Sequence, residues 1–346
     1  MAFCHFPSPY KQVKDMIEIK QPLSFTQKGR KDKQEDSLFP LMGQATAETP
    51  VFLVCDGMGG HDHGEVASQC VAETMGKLTT SHAPCTTAEM KDAFNEALEQ
   101  AYVALDESEP AGGTRTMGTT LTFLARCTDG ILIAHIGDSR IYQLRPGKGI
   151  MFHTRDHSLV NDLVAAGEIT EEEARTHPRR NVITRALMPC HGDETEMVSA
   201  TFRAVTDIQA GDIFFMCCDG VIEKIDDNKL QEVLLADAPA QERMETLAKL
   251  CRDLDTRDNN TCYFIEIDKA EGINADASVA ITEASAESVR EMRPLSPKRQ
   301  QSKMYMLYAL IAAVVCGLAM YFFFSSSSAS EKSSKSNTNG IIKRIR

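Results

Sequence analysis

An α+β fold with a single acidic site at its strand ends is what this sequence predicts, and three observations predict it. First, the strand-like and helix-like stretches come in blocks instead of alternating strictly, which disfavours a doubly wound parallel sheet. Second, several short apolar, β-branched runs end abruptly at an aspartate. Val51 to Cys55 runs into Asp56-Gly57-Met58-Gly59-Gly60, and Ile213 to Cys218 runs into Asp219-Gly220. Ile131 to Ile136 runs into Gly137-Asp138-Ser139-Arg140, and Asp258-Asn259-Asn260 precedes the run Thr261 to Ile267. Third, two longer stretches carry apolar residues at helical spacing, as core-facing helices do. A hydrophobic content of 42% supports a sizeable core.

Taken in order, an edge strand is expected near Ile17 and Ile19, followed by the charged stretch Gly29-Arg30-Lys31-Asp32-Lys33-Gln34-Glu35-Asp36. A buried strand over Val51–Cys55 leads into the Gly-rich turn. Gly64 to Leu78 is predicted helical, with Ala67, Val71, Met75 and Leu78 on one face. A second helix is predicted from Thr87 to Leu105. Its stripe is Met90, Phe94, Leu98, Ala101 and Leu105, and Thr86 or Thr87 caps it. Residues 109–117 are Gly- and Thr-rich and read as a loop. Strands follow over Thr119–Cys127, Ile131–Ile136 and Ser139–Leu144, the first two joined by the turn signal Thr128-Asp129-Gly130. Short helices are expected over Ser158–Ala166 and Thr170–Thr176, the latter opened by a Thr170/Glu173 capping box. Strands over Val182–Leu187, Met197–Phe202 and Asp212–Cys218, helices over Asp226–Leu235 and Ala240–Leu254, and a last strand over Thr261–Ile267 complete the domain, set at residues 1–268.

The chemistry is carried by the aspartates. One of them before a glycine is an ordinary turn pair. Four of them at the ends of apolar strands point to one cluster of hard oxygen ligands for Mg²⁺ or Mn²⁺. The glycines after Asp56 let backbone approach a ligand closely, but the Lys-Ser/Thr ending of a P-loop is missing. Arg30 and Lys31, beside Glu35 and Asp36, read either as a solvated loop or as a phosphate clamp next to a metal site. A net charge of −12 and a pI of about 5.3 argue against nucleic acid as a partner. The 11 cysteines are scattered, without a metal-type Cys-x-x-Cys, and fit a reduced cytoplasmic domain.

The motifs, in their order along the chain, resemble those of the metal-dependent protein serine/threonine phosphatases of the PP2C (PPM) family in its bacterial form. They are Gln34-Glu35-Asp36, Asp56-Gly57-Met58-Gly59-Gly60, Met117-Gly118-Thr119-Thr120, Gly137-Asp138-Ser139-Arg140-Ile141-Tyr142, Asp156-His157-Ser158, Asp219-Gly220 and Asp258-Asn259-Asn260-Thr261. The stretch from Asp156 through Ala166-Gly167-Glu168-Ile169 to Arg185-Ala186-Leu187 looks like the family's flap. The resemblance covers residues 23–267 and implies an αββα sandwich of two antiparallel sheets flanked by helices, with two or three Mn²⁺ or Mg²⁺ ions at one end. It implies that Asp56 bridges two metals, that the Gly57 carbonyl binds one of them, and that Asp219 and Asp258 complete the second. Asp138 with Asp219 matches the third-metal site, and Glu35 and Asp36 bind a metal or orient its waters. Two ions sharing a carboxylate lower the pKa of a bridging water, whose hydroxide would attack phosphoserine or phosphothreonine in line. Asp56, Asp36, Lys31 and Arg30 are therefore the expected catalytic residues.

The chain also departs from the family pattern. Lys31 stands where the family usually has a phosphate-binding Arg, with Arg30 adjacent, and Gln34 replaces an Asn. Met58 occupies the place of a general-acid His proposed in eukaryotic members, and Met188 replaces a Gly. His61, His63, His153 and His157 are read as loop or structural residues. The spacing from Cys251 to Arg257 matches a cysteine phosphatase, but Asp253 and Asp255 inside it would repel phosphate.

Beyond the domain, residues 269–303 are rich in Ala, Glu, Ser and Pro and read as a flexible linker. Met304 to Phe324 then runs without a charge, with tyrosines and phenylalanines near its ends, and is long enough to span a bilayer. A short polar tail, 325–346, follows. Lys and Arg are balanced across the span, so they do not orient it. The reduced cysteines and the absence of a basic-plus-apolar leader pattern place the catalytic domain in the cytoplasm. The expected partners are phosphorylated proteins, a serine/threonine protein kinase and the membrane.

Overall fold

Val51, Leu53 and Cys55 pack on one side of their strand and Phe52 and Val54 on the other, and all five are fully buried. A strand covered on both faces has no reason to alternate in polarity, which is why it reads as an unbroken apolar run. This burial pattern defines the architecture. The computed structural model describes residues 17–59, 63–109 and 117–271. Its strands are β1 (Ile17–Ile19), β2 (Leu23–Gln27), β3 (Ser37–Phe39), β4 (Val51–Cys55), β5 (Gly57–Gly59), β6 (Met117–Thr119) and β7 (Leu121–Arg126). They continue with β8 (Ile131–Ile136), β9 (Arg140–Arg145), β10 (Gly149–His153), β11 (Thr201–Val205), β12 (Ile213–Cys217) and β13 (Asn260–Ala270). The helices are α1 (Gly64–Thr80), α2 (Thr87–Ser108), α3 (Leu159–Ala165), α4 (Glu171–Thr176), α5 (Asp219–Ile222), α6 (Asp227–Leu234) and α7 (Ala240–Asp253).

Two antiparallel sheets stack face to face. One has the order β11-β8-β7-β4-β3. In the other, β2 and β1 pair with successive parts of β13, followed by β12, β9 and β10. Between the sheets lies one apolar layer, including Phe52, Leu124, Ile141, Phe214, Met216 and Tyr263. Phe52 and Tyr263 meet edge to face across it at 5.2 Å. Helices α1 and α2 cover the outer face of the first sheet, where Phe94 meets Phe123 at 5.0 Å. Helices α6 and α7 cover the outer face of the second through Leu230, Leu234, Leu247 and Cys251. The result is the αββα sandwich that the resemblance implied.

The two long helices form where the apolar spacing put them. Thr86 is the N-cap of α2, closed by a capping box with Glu89, and Thr170 with Glu173 does the same for α4. Leu78 departs from its stripe and is exposed, because α1 is in its last turns there. Gly76 of α1 sits flat on Phe39, and a Cβ there would overlap that ring. Gly76→Ala is therefore expected to destabilise the domain by about 1–3 kcal/mol, although the same change in a free helix gains about 1 kcal/mol. Chemical denaturation measures the sign.

Several expectations are corrected. Val182–Leu187 forms no strand; only single bridges join Ser158 to Ile183 and Thr119 to Leu187, so no ladder stabilises it. The strand expected over Met197–Phe202 begins at Thr201, where pairing with β8 starts, and continues to Val205. The stretch Thr119–Cys127 breaks at Thr120, since β6 turns away to pair with β5. The Gly-rich turn after Asp56 is thus itself a short strand. β2, β3 and β10 were not anticipated, and β13 continues to Ala270. The apolar span 304–324 lies outside the described residues, as do the linker beyond residue 271 and the polar tail; among the described residues no helix is long and apolar enough to cross a membrane.

Candidate metal centre

Strand polarity gathers the carboxylates. β4 and β8 both run antiparallel to β7, so they run parallel to each other, and Asp56 and Asp138 follow them at the same edge. β3 pairs with β4 by matching Ser37 to Cys55, which sets Asp36 beside Asp56. In the second sheet Cys217 faces Cys262, so Asp219 after β12 and Asp258 before β13 share one end. Gln27 faces Asn260, which brings the loop after β2, with Arg30, Lys31 and Glu35, to that end too.

The cluster is buried and acidic. Asp36 and Asp56 are 8% and 9% exposed. Both oxygens of Asp36, Oδ1 of Asp138 and Oδ1 of Asp219 are enclosed without a hydrogen-bond partner. Burial first, and then repulsion from Asp219 and Asp258, raises the Asp36 carboxyl to about 7; Thr261 and Cys218 approach it but fall short of hydrogen-bond geometry. Asp138 also rises to about 7, through burial and then Asp219 and Asp156. Asp56 is pushed well above the usual carboxylate range by burial and by Asp36, Asp219, Asp258 and Asp138. Asp219 rises by burial and its proximity to Asp258. Orphaned, mutually repelling oxygens of this kind suit a hard divalent cation. The donor set fits such ions.

The backbone around the cluster is fixed. Asp56 exchanges backbone bonds with Thr120, whose hydroxyl accepts from Asp56 N at 3.0 Å and whose N–H donates to Asp56 O at 2.9 Å. Gly57 donates its N–H to Glu35 O at 3.2 Å, and a Cβ on Gly57 would overlap the carbonyl oxygens of Glu35 and Gly64. Asn259, 1% exposed, ties the Lys28–Glu35 loop to the start of β13. Its amide donates to Lys28 O and Lys33 O, and its Oδ1 accepts from Glu35 N at 2.7 Å. Sequence reasoning quoted Asn259 within a motif and gave it no role; its only signal was a polar residue entering an apolar strand.

The two basic candidates separate. Lys31 lies between Asp258 Oδ1 at 2.8 Å and Glu35 Oε2 at 3.0 Å. Burial opposes its charge, but these carboxylates outweigh burial and hold it above its ordinary value. Arg30 instead pairs with Asp255, on an exposed edge.

Cys218, directly after β12, is fully buried. Its Sγ, an Asp36 oxygen and an Asp56 oxygen lie within 4.8 Å of one another. Burial, then Asp36, Asp56 and Asp219, pushes the thiol well up.

Among the described residues, no histidine joins the cluster. His157 accepts from Gly137 N at Nδ1 (3.1 Å), stacks on His135 at 4.5 Å, and accepts from Thr184 N at its carbonyl, bracing the turn that carries Asp138. Burial lowers it to about 3, so it stays neutral. His63 precedes α1 with a positive φ of 88°, His153 caps its own turn through Thr154 O, and His61 lies outside the described residues.

Known protein phosphatases resemble this chain. The profile of protein phosphatase 2C matches residues 29–258. The protein phosphatase PhpP of Streptococcus pneumoniae is 32% identical over 221 residues, covering 63% of this chain and 86% of its own length. The crystal structure of the serine/threonine phosphatase PstP/Ppp of Mycobacterium tuberculosis superposes with a TM-score of 0.60 at 29% identity, covering 72% of this chain and 99% of the other. A structure of the PstP catalytic domain in complex with two manganese ions superposes with a TM-score of 0.56 at 28% identity, with the same coverage of 72% and 99%.

Proposed function

This chain belongs to the protein phosphatase 2C family of serine/threonine phosphatases, and from that premise we propose that it hydrolyses phosphoserine and phosphothreonine on proteins at two or three Mn²⁺ or Mg²⁺ ions held by its strand-end aspartates. The observation that carries the metal reading is the set of enclosed carboxylate oxygens on Asp36, Asp138 and Asp219 that lack any partner. Asp56, Gly57 through its carbonyl, Asp219 and Asp258 would hold the central ions, Asp138 with Asp219 a third, and Asp36 and Glu35 the ions or their waters. When bound, the cations supply Lewis acidity toward water and neutralise phosphate charge.

The chain's own residues do the rest. Thr120 and Gly57 lock the backbone that carries the central carboxylate. Asn259 holds Lys31 and Glu35 at the rim of the cluster. Lys31 is the cation placed to meet a phosphate oxygen, at the cost of its contacts with Asp258 and Glu35. The hydrolytic step joins a water oxygen to phosphorus and releases the serine or threonine oxygen, which leaves with a proton. The test is release of inorganic phosphate from phosphoserine and phosphothreonine peptides with and without Mn²⁺. No release at any Mn²⁺ concentration from folded protein rejects the reading.

Lys31→Ala is expected to raise KM for phosphopeptide more than it lowers kcat, because a lysine contacts phosphate as a point charge. Arg30→Ala should change both less, being engaged with Asp255. Steady-state kinetics on both variants separates them; the reverse ranking gives the role to Arg30.

The uncharged run Met304–Phe324 supports a single membrane span, and the free cysteines support a phosphatase domain on the cytoplasmic side, where a serine/threonine kinase and its phosphorylated products would be partners. Recovery of the full-length chain in the membrane fraction is the expected result, and its recovery in the soluble fraction counts against the span.

A further inference from the structure

We propose that Cys218, together with Asp36 and Asp56, forms a site for a borderline-soft divalent cation such as zinc, and that zinc bound there excludes the hard cations from the carboxylate cluster. The proposal rests on the reading of that cluster as a divalent-cation centre and adds a chemical discrimination between metals. The ligand atoms are already assembled: Sγ of Cys218 and one oxygen each of Asp36 and Asp56 lie within 4.8 Å of one another. Tetrahedral zinc, with Zn–S of about 2.3 Å and Zn–O of about 2.0–2.2 Å, needs its ligands on the order of 3.5 Å apart. Side-chain movements of about 1 Å close that gap.

An independent observation points to a ligand. Asp36 is 8% exposed, and neither of its oxygens has a hydrogen-bond partner, although it stands next to the thiol. An apolar pocket would not keep a carboxylate there.

One backbone contact of the sulfur suits a metal-bound thiolate. Thr261 donates its backbone N–H to Sγ at 3.1 Å, an outer contact that orients the sulfur and supports negative charge on it. The hydrogen bond given up is the donation from the thiol to Asn259 O at 3.3 Å, with the thiol proton passing to solvent. The backbone of Cys218 is pinned as well, its N–H donating to Thr261 O at 3.1 Å.

Sulfur decides which metals use this corner. Mg²⁺ and Mn²⁺ prefer oxygen and gain little from a thiolate, whereas zinc and cobalt bind it strongly. A zinc ion held by Cys218, Asp36 and Asp56 would take Asp56 out of its role as the central shared carboxylate. Zinc would therefore compete with the hard ions for the cluster instead of substituting for them.

The experiment titrates Co²⁺, a spectroscopic stand-in for zinc, into the metal-free full-length chain and reads near-ultraviolet thiolate-to-cobalt absorption. The expected result is a saturable band in the wild type, abolished in Cys218→Ser or Cys218→Ala, whichever folds, and kept in Cys70→Ser, a half-buried cysteine on α1. Calorimetry should show at least a tenfold loss of Zn²⁺ affinity in the Cys218 variant and a smaller change for Mn²⁺. A wild type without the band, or a band that survives loss of the Cys218 sulfur, overturns the proposal. Mn²⁺-dependent phosphate release by the wild type is read separately. Its absence overturns the phosphatase reading, and its presence without a cobalt band overturns only the zinc site.

Discussion

Asp56→Asn is expected to lower turnover at saturating Mn²⁺ by about 10²–10³-fold while raising the melting temperature of the metal-free protein. Both effects come from one carboxylate. Asp56 leaves a fully buried strand and faces Asp36, Asp219, Asp258 and Asp138. Bound cations would use this charge as their shared ligand, so its removal costs transition-state stabilisation. Without cations the same charge is desolvated and repelled by four neighbours, so its removal relieves the fold. The asparagine keeps the shape and leaves the backbone bonds to Thr120 intact. Kinetics paired with thermal melts in a chelator check both arms. Near wild-type turnover would remove Asp56 from the centre of the chemistry, and a lower metal-free melting temperature would show that its charge is compensated.

Metal-free protein is expected to lose stability as pH rises from about 4 to about 7, and divalent cations should restore it. Folding raises Asp36 and Asp138 from 3.8 to about 7, and raises Asp56 and Asp219 in the same direction. Between those limits the folded state binds more protons than the unfolded state. The slope of unfolding free energy with pH is then negative, and the stabilisation present below pH 4 is lost as pH passes through about 7. A tenfold change in a group's proton affinity on folding corresponds to about 1.4 kcal/mol. The four carboxyls titrate together, so the cluster as a whole is worth on the order of a few kcal/mol. That corresponds to about 5–10 °C in melting temperature for a domain of this size. Mn²⁺ binds the folded state and should reverse the loss in proportion to the logarithm of its concentration. Melts at pH 5 and pH 7, with chelator and with Mn²⁺, read this directly. A metal-free protein more stable at pH 7 than at pH 5 would contradict the burial of these carboxylates as free acids.

The sequence by itself determined the elements whose signal is local. Val51–Cys55, Ile131–Ile136 and Ile213–Cys217 announced themselves because strands buried on both faces must be apolar throughout. The helices α1, α2, α6 and α7 followed from one-sided stripes and capping residues. The aspartates Asp56, Asp138, Asp219 and Asp258 stood out because each lies within three residues of the end of such a run, where a charge has no packing reason to be. Edge strands were harder to see. Leu23–Gln27 is only half-buried, and Ser37–Phe39 has three residues, so neither carries a period long enough to detect. Val182–Leu187 shows the reverse error, a run with strand composition that finds no partner to ladder with. What only the tertiary structure decided is which groups share space. Strand polarity, not spacing, brings Asp36 to Asp56 and Asp219 to Asp258. The pairing of β2 with β13 put Lys31 between two carboxylates and left Arg30 outside with Asp255. The same pairing made Asn259 the tie between loop and sheet, and the end of β12 set the Cys218 sulfur beside Asp36 and Asp56. Those relations join residues distant in sequence, and a linear pattern records periodicity and local charge but not which two strand ends meet.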